Sequence, residues 1–182
     1  MKRSYKLAII VLVIAILAIA PISARVNSSL AVGAQFGFLA TGIVADIPLG
    51  PLALQAGVNY PVGWLYIQSL AGGDDFGDFF NPFFVLTADI TAPIGLGENF
   101  DLKLGVSTLG FTDFESGVFG VAGPAVKGEY WLAEKDVGLY VNLNVPIMGY
   151  ILTADGSFDW IIHQALPLAG LFTTTAGVLW SL

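Results

Sequence analysis

The stretch VGLYVNLNVPI, residues 137–147, decides how this chain is read. Its odd positions, Val137, Leu139, Val141, Leu143, Val145 and Ile147, are all aliphatic, and Gly138, Tyr140, Asn142, Asn144 and Pro146 lie between them. Successive side chains of a strand point to opposite faces, so the segment has one hydrocarbon face and one small polar face.

The same split recurs seven more times, each over a stretch close to the 9–11 residues that a tilted strand needs to cross a bilayer. The other apolar rows begin at Leu30, Ile43, Leu52, Phe84, Phe100, Val126 and Phe172. The opposite rows contain Gln35, Asp46, Gln55 and Asn59, then Asp89, Asp101 and Lys103, then Lys127 and Glu129, and finally Tyr140, Asn142 and Asn144. Gly50-Pro51, Gly95-Leu96-Gly97 and Lys135-Asp136 read as tight turns. A short link falls at 37–41, and longer connections at 69–81, 109–123 and 148–167. Pro48, Pro61, Pro93 and Pro146 are expected near strand ends or bulges, where a missing donor is tolerated. Eight alternating segments with mostly long connections on one rim predict an all-β, eight-stranded antiparallel up-and-down transmembrane barrel.

Composition narrows the class. Hydrophobic residues make up 55% of the 182 and charged ones 12%, against about 45–50% and about 25% in soluble domains. A chain this apolar is not a disordered tail, and one with 7 basic residues against 14 acidic ones is a poor match for nucleic acid phosphates. With no Cys, disulfides, thiolate metal sites and cysteine nucleophiles are excluded. No phosphate loop, zinc signature or dinucleotide fingerprint is present, so neither a cofactor nor a metal centre is expected.

Residues 1–24 read as a secretory signal peptide: Lys2, Arg3 and Lys6, the uncharged run from Leu7 to Ala20, and Pro21-Ile22-Ser23-Ala24 before the predicted cut. Residues 25–182 would then form the barrel. This mature segment holds 158 residues, with 4 basic against 14 acidic ones and a formal charge of −10.

Volume and charge assign the faces. Eight rows of large apolar residues would crowd the interior of an eight-stranded barrel, whereas Gly, Thr, Asn and Gln suit a narrow lumen. A closed barrel satisfies its own backbone and tolerates an apolar exterior in lipid. Aromatic residues accumulate where headgroups begin, which predicts one girdle at the long-loop rim with Tyr60, Trp64 and Phe84, and another at the short-turn rim with Phe100, Tyr130 and Trp180.

On the leader, the strand count, the loop asymmetry and the ending AGVLWSL, residues 176–182, the chain resembles the small outer-membrane β-barrel proteins of diderm bacteria, the eight-stranded type of outer-membrane protein A and its relatives. The final aromatic stands at Trp180 and the last residue is Leu182, a departure from the family's terminal assembly signal. The resemblance implies location in the bacterial outer membrane, contact with its lipid and glycolipid, and insertion by the barrel-assembly machinery. It is architectural, since the class includes tethers, adhesins, resistance factors, solute channels and lipid-modifying enzymes.

If the turns fix register, Asp46 faces Gln55, Lys103 faces Asp89, Glu129 faces Asn142 and Lys127 faces Asn144. Such pairs read as a hydrogen-bonded plug or as a polar conduit. Among the loops, Asp74, Asp75 and Asp78 form an acidic stretch that is either solvated or in contact with divalent cations. The lone histidine, His163, lies near Asp159 and Ser157, but no nucleophile elbow supports a hydrolase. The expected function is a non-enzymatic structural or surface-interaction role, with a narrow channel for small or apolar solutes as the first alternative and a surface-lipid-modifying enzyme as the second.

Overall fold

Gly50 holds a φ of +65° and closes the two-residue turn between β2 (Thr41–Leu49) and β3 (Leu52–Tyr60), where Leu49 faces Leu52 and Asp46 faces Gln55. A left-handed conformation is inexpensive only without a side chain, and it matches the twist that a tight hairpin requires. The computed structural model describes residues 26–70, 84–132 and 136–182. The predicted leader, the acidic stretch Asp74, Asp75 and Asp78, and Lys135 lie outside the described residues.

The remaining strands are β1 (Ala31–Gly37), β4 (Phe84–Gly95), β5 (Phe100–Thr112), β6 (Gly117–Trp131), β7 (Val137–Asn144), β8 (Met148–Thr153), β9 (Phe158–Ile161) and β10 (Thr175–Ser181). Strands β1 to β7 pair in succession, and β10 pairs with both β7 and β1, so eight antiparallel strands close into an up-and-down barrel. Closure leaves no open edge in the wall.

Three predicted registers are corrected. Pro93, not Asp89, stands opposite Lys103, because the β4–β5 connection begins at Gly97 instead of ending there: Leu96 N–H donates to the Phe100 carbonyl. Lys127 faces Asn142 and Glu129 faces Tyr140, since Leu132 N–H donates to the Val137 carbonyl and the connection is four residues long. Both slips are by an even number of residues, so each side chain keeps its face while every cross-strand partner changes.

Two predicted loops are also corrected. The segment 109–123 is mostly strand: β5 and β6 continue to Thr112 and Gly117, with Phe111 opposite Phe119. Alternation persists there, but the apolar residues turn inward. The segment 148–167 contains the hairpin β8–β9, which extends the sheet from the upper part of β6. Between Ala125↔Asn144 and Ala122↔Met148, the three residues 145–147 oppose only two. This is a β-bulge at Pro146, and beyond it the outward positions change from odd to even. Sequence reading also missed α1 (Val62–Leu70), the 3₁₀ turn Leu166–Ala169 and the short α2 (Gly170–Thr173) that leads into β10.

The outer wall is apolar. Ile43 is 70% exposed, and Val32, Val58, Ile90, Leu139, Val141, Leu143 and Trp180 are exposed too. Phe100 and Tyr130 face each other at the short-turn rim. Tyr60 and Phe84 stand at the opposite end, and Trp64 is carried by α1.

Candidate functional site in the barrel interior

Alternation brings Gln35, Asp46, Gln55, Asn59, Asp89, Asp101, Lys103, Lys127, Glu129, Tyr140, Asn142 and Asn144 to the inner face, and all of them are buried. Their neighbours determine what they can do.

At the centre lies a quartet of charges. Lys103 Nζ donates to Asp46 Oδ2 at 2.7 Å and to Glu129 Oε2 at 2.6 Å. Lys127 Nζ lies 2.9 Å from Glu129 Oε2 and 3.7 Å from Asp46 Oδ2, donates to Gln55 Oε1, and sits 4.3 Å from the centre of the Tyr140 ring. Trp131 Nε1 donates to the other Glu129 oxygen at 2.8 Å. Two ammonium groups and two carboxylates cancel. Burying any one of them alone would cost several kcal/mol, at least about 3, so the four stand or fall as a unit.

Apolar groups border the quartet. Ala31, Val44, Trp131, Tyr140 and Leu179 form one cluster, against which Val26 packs. Val26 N–H donates to both oxygens of Asp101 at 3.0 and 3.1 Å. Toward the other rim, Ala40, Val85 and Leu109 form a second cluster with Leu39, Phe111 and Val121. These are the residues whose inward turn the polarity of the rows did not foretell.

Between the quartet and this cap lies a layer of amides and hydroxyls. Tyr140 donates to Gln35 Oε1 at 3.2 Å, Gln35 Nε2 donates to Asn59 Oδ1 at 2.8 Å, and Asn59 Nδ2 donates to Thr87 Oγ1 at 3.1 Å. Asn142 Nδ2 donates to Asp89 Oδ2 at 2.9 Å, and Asn144 Nδ2 donates to Ser107 Oγ at 3.0 Å. Tyr140 fits because its neighbour on β10 is Gly177, where a Cβ would stand 2.6 Å from the ring. Trp131, Thr87 and Ser107 belong to the network although they were not singled out as site residues. Their place on the inward register was the only available signal.

The loop acids are held locally. The Asp113 carboxylate accepts from Ser116 Oγ at 2.7 Å and from the N–H groups of Ser116 and Glu115. With the Ser116 hydroxyl the largest cause, these bonds lower its pKa to about 2. Asp155 is lowered likewise, first by Thr153 and then by Ser157. His163 is exposed, and its Nδ1 accepts from Ala165 N–H at 3.2 Å. The Ser157 hydroxyl bonds to Thr153, and Asp159 lies on β9 opposite Ile151. Among the described residues no hydrogen bond joins these three as a catalytic relay, and no group of three or more His, Cys, Asp or Glu side chains is arranged to hold a metal.

No family model matches the chain, and no curated protein matches it.

Proposed function

We propose that this is an integral barrel of the bacterial outer membrane, related in architecture to the small barrels it resembles, with a non-enzymatic structural or surface-interaction role. The observation that carries the reading is the inversion of polarity: hydrocarbon covers the outside of the closed wall, while lysines and carboxylates are buried within. Soluble monomers seldom expose contiguous apolar patches beyond a few hundred Å², and a wall of this kind is matched by acyl chains. Tyr60 and Phe84 at one rim, with Phe100, Tyr130 and Trp180 at the other, suit the two headgroup levels. Export by a cleaved leader, insertion by the assembly machinery and contact with surface glycolipid belong to the same reading.

A structural role is favoured over a channel because the Lys103–Asp46–Glu129–Lys127 quartet fills the middle of the lumen and apolar clusters flank it. The test has two arms. The refolded chain should require detergent or lipid and should shift its gel mobility on heating; a soluble monomer in plain buffer would reject the membrane assignment. In planar bilayers it should show no stepwise conductance, and steps that change on replacing Lys103 or Lys127 would reject the plug.

A further inference from the structure

Two interior carboxylates, Asp89 and Asp101, lie outside the quartet, and Asp89 is the one on the side of the amide layer. It is 5% exposed, and among the described residues it forms no ion pair with a lysine or arginine. Asp89 Oδ2 accepts from Asn142, but Oδ1 has no hydrogen-bond partner. The same is true of Asn142 Oδ1 and Asn144 Oδ1, both on side chains at least nine-tenths buried.

These oxygens belong to one neighbourhood. Asp89 stands directly opposite Ser107 on β5, Ser107 accepts from Asn144, and Asn142 and Asn144 are successive inward residues of β7. Two bonds across the lumen, Asn142 to Asp89 and Asn144 to Ser107, therefore tie a carboxylate, two amide oxygens and a hydroxyl together beneath the Ala40–Val85–Leu109 cap. The amide nitrogens are already engaged as donors, and the one further donor, the Ser107 hydroxyl, stands beside Asp89, which leaves the amide oxygens of Asn142 and Asn144 with nothing to accept.

We propose that this group of side chains binds a small hard monovalent cation, sodium, with Asp89 as the charged ligand and Asn142, Asn144 and Ser107 as neutral oxygen ligands. A buried carboxyl group is neutralised either by a proton or by a counter-charge; a proton answers a single acceptor and a water molecule offers two hydrogens and no charge, whereas one cation answers several acceptors at once. The adjoining quartet is neutral, so one positive charge balances Asp89. One carboxylate is too few for calcium, which draws on several oxygen ligands and usually more than one acid. The apolar cap restricts exchange in the folded barrel, so the ion enters as the chain folds and binding is read in the unfolding equilibrium.

The experiment is urea unfolding of the full chain in neutral phosphatidylcholine vesicles, with sodium chloride replacing N-methylglucamine chloride at constant ionic strength. Neutral lipid removes cation bridging between headgroups. Above the dissociation constant, each tenfold rise in sodium should lift the wild-type midpoint by about 0.5–1.4 M urea. Asp89→Asn, which keeps the shape and discards the charge, should abolish that dependence. Asn144→Asp supplies a second carboxylate and should transfer the response from sodium to calcium. Equal wild-type midpoints in the two salts would overturn the proposal, and so would a calcium response in place of sodium, stabilisation by acid with no cation dependence, or an unaltered sodium response in Asp89→Asn. None of these results bears on the membrane test or on the conductance test.

Discussion

Lys103 on β5 and Asp46 on β2 are separated by two intervening strands, yet their Nζ and Oδ2 atoms meet at 2.7 Å inside the barrel. The same nitrogen reaches Glu129 on β6, so a single side chain ties three walls together. Replacing Glu129 with Gln leaves two buried ammonium groups to share Asp46. The expected loss is about 3–5 kcal/mol, measured as a lower urea midpoint in vesicles.

Gly177 leaves room for the Tyr140 ring, and the ring in turn covers Lys127. A Cβ at this position would also stand 2.4 Å from the Ala34 carbonyl oxygen, so Gly177→Ala should destabilise by about 1–3 kcal/mol through overpacking, only part of it against the ring. Removing the ring in the double variant Gly177→Ala with Tyr140→Leu should make the two effects less than additive, a coupling that a double-mutant cycle measures.

Asp113 should titrate at about pH 2 in the folded chain. A carboxylate with a lowered folded pKa contributes stability that is fully present above its ordinary value near 3.8 and is lost as pH falls toward 2. Ser116→Ala deletes the principal donor, so the Asp113 carboxyl resonance should titrate closer to the ordinary value. An unchanged titration in this variant would show that the hydroxyl bond does not form.

The two faces of β7 should respond differently to lipid-borne reagents. A bilayer-soluble quencher should quench a fluorophore attached at Leu139→Cys or Leu143→Cys. Attachment at Asn142→Cys should protect the fluorophore, provided that the variant folds. Quenching at Asn142 with protection at Leu139 would invert the barrel.

Much of this architecture is legible in the order of residues, because period two survives through eight segments and the lumen's chemistry differs from the wall's at almost every step. The period puts Asp46, Lys103 and Glu129 on the polar face, and volume and charge turn that face inward. Their mutual contacts do not, because pairing depends on where each turn begins. Gly97 opens its connection where it was expected to close it, and Lys103 consequently meets Pro93 across the strands. Leu109, Phe111 and Val121 were obscured for a different reason. Near the mouth the apolar row crosses to the inner side, and a rule that keeps hydrocarbon outside mistakes a continuing hairpin for a loop. Asp113, Ser116 and Gly117 are turn-forming residues, and they sit at the tip of that long hairpin.

The extra residue at Pro146 works as a phase shift in the ribbon. Up to Asn144 the strand belongs to the cylinder and shares its inside and outside; after the shift Tyr150 points outward, lies across Gly120 and bonds to Thr108. Beyond the surplus residue the ribbon keeps β6 as one neighbour but no longer pairs with β10, and it turns back as a hairpin of its own, so a single unit of chain length marks where the container ends and its projecting fin begins.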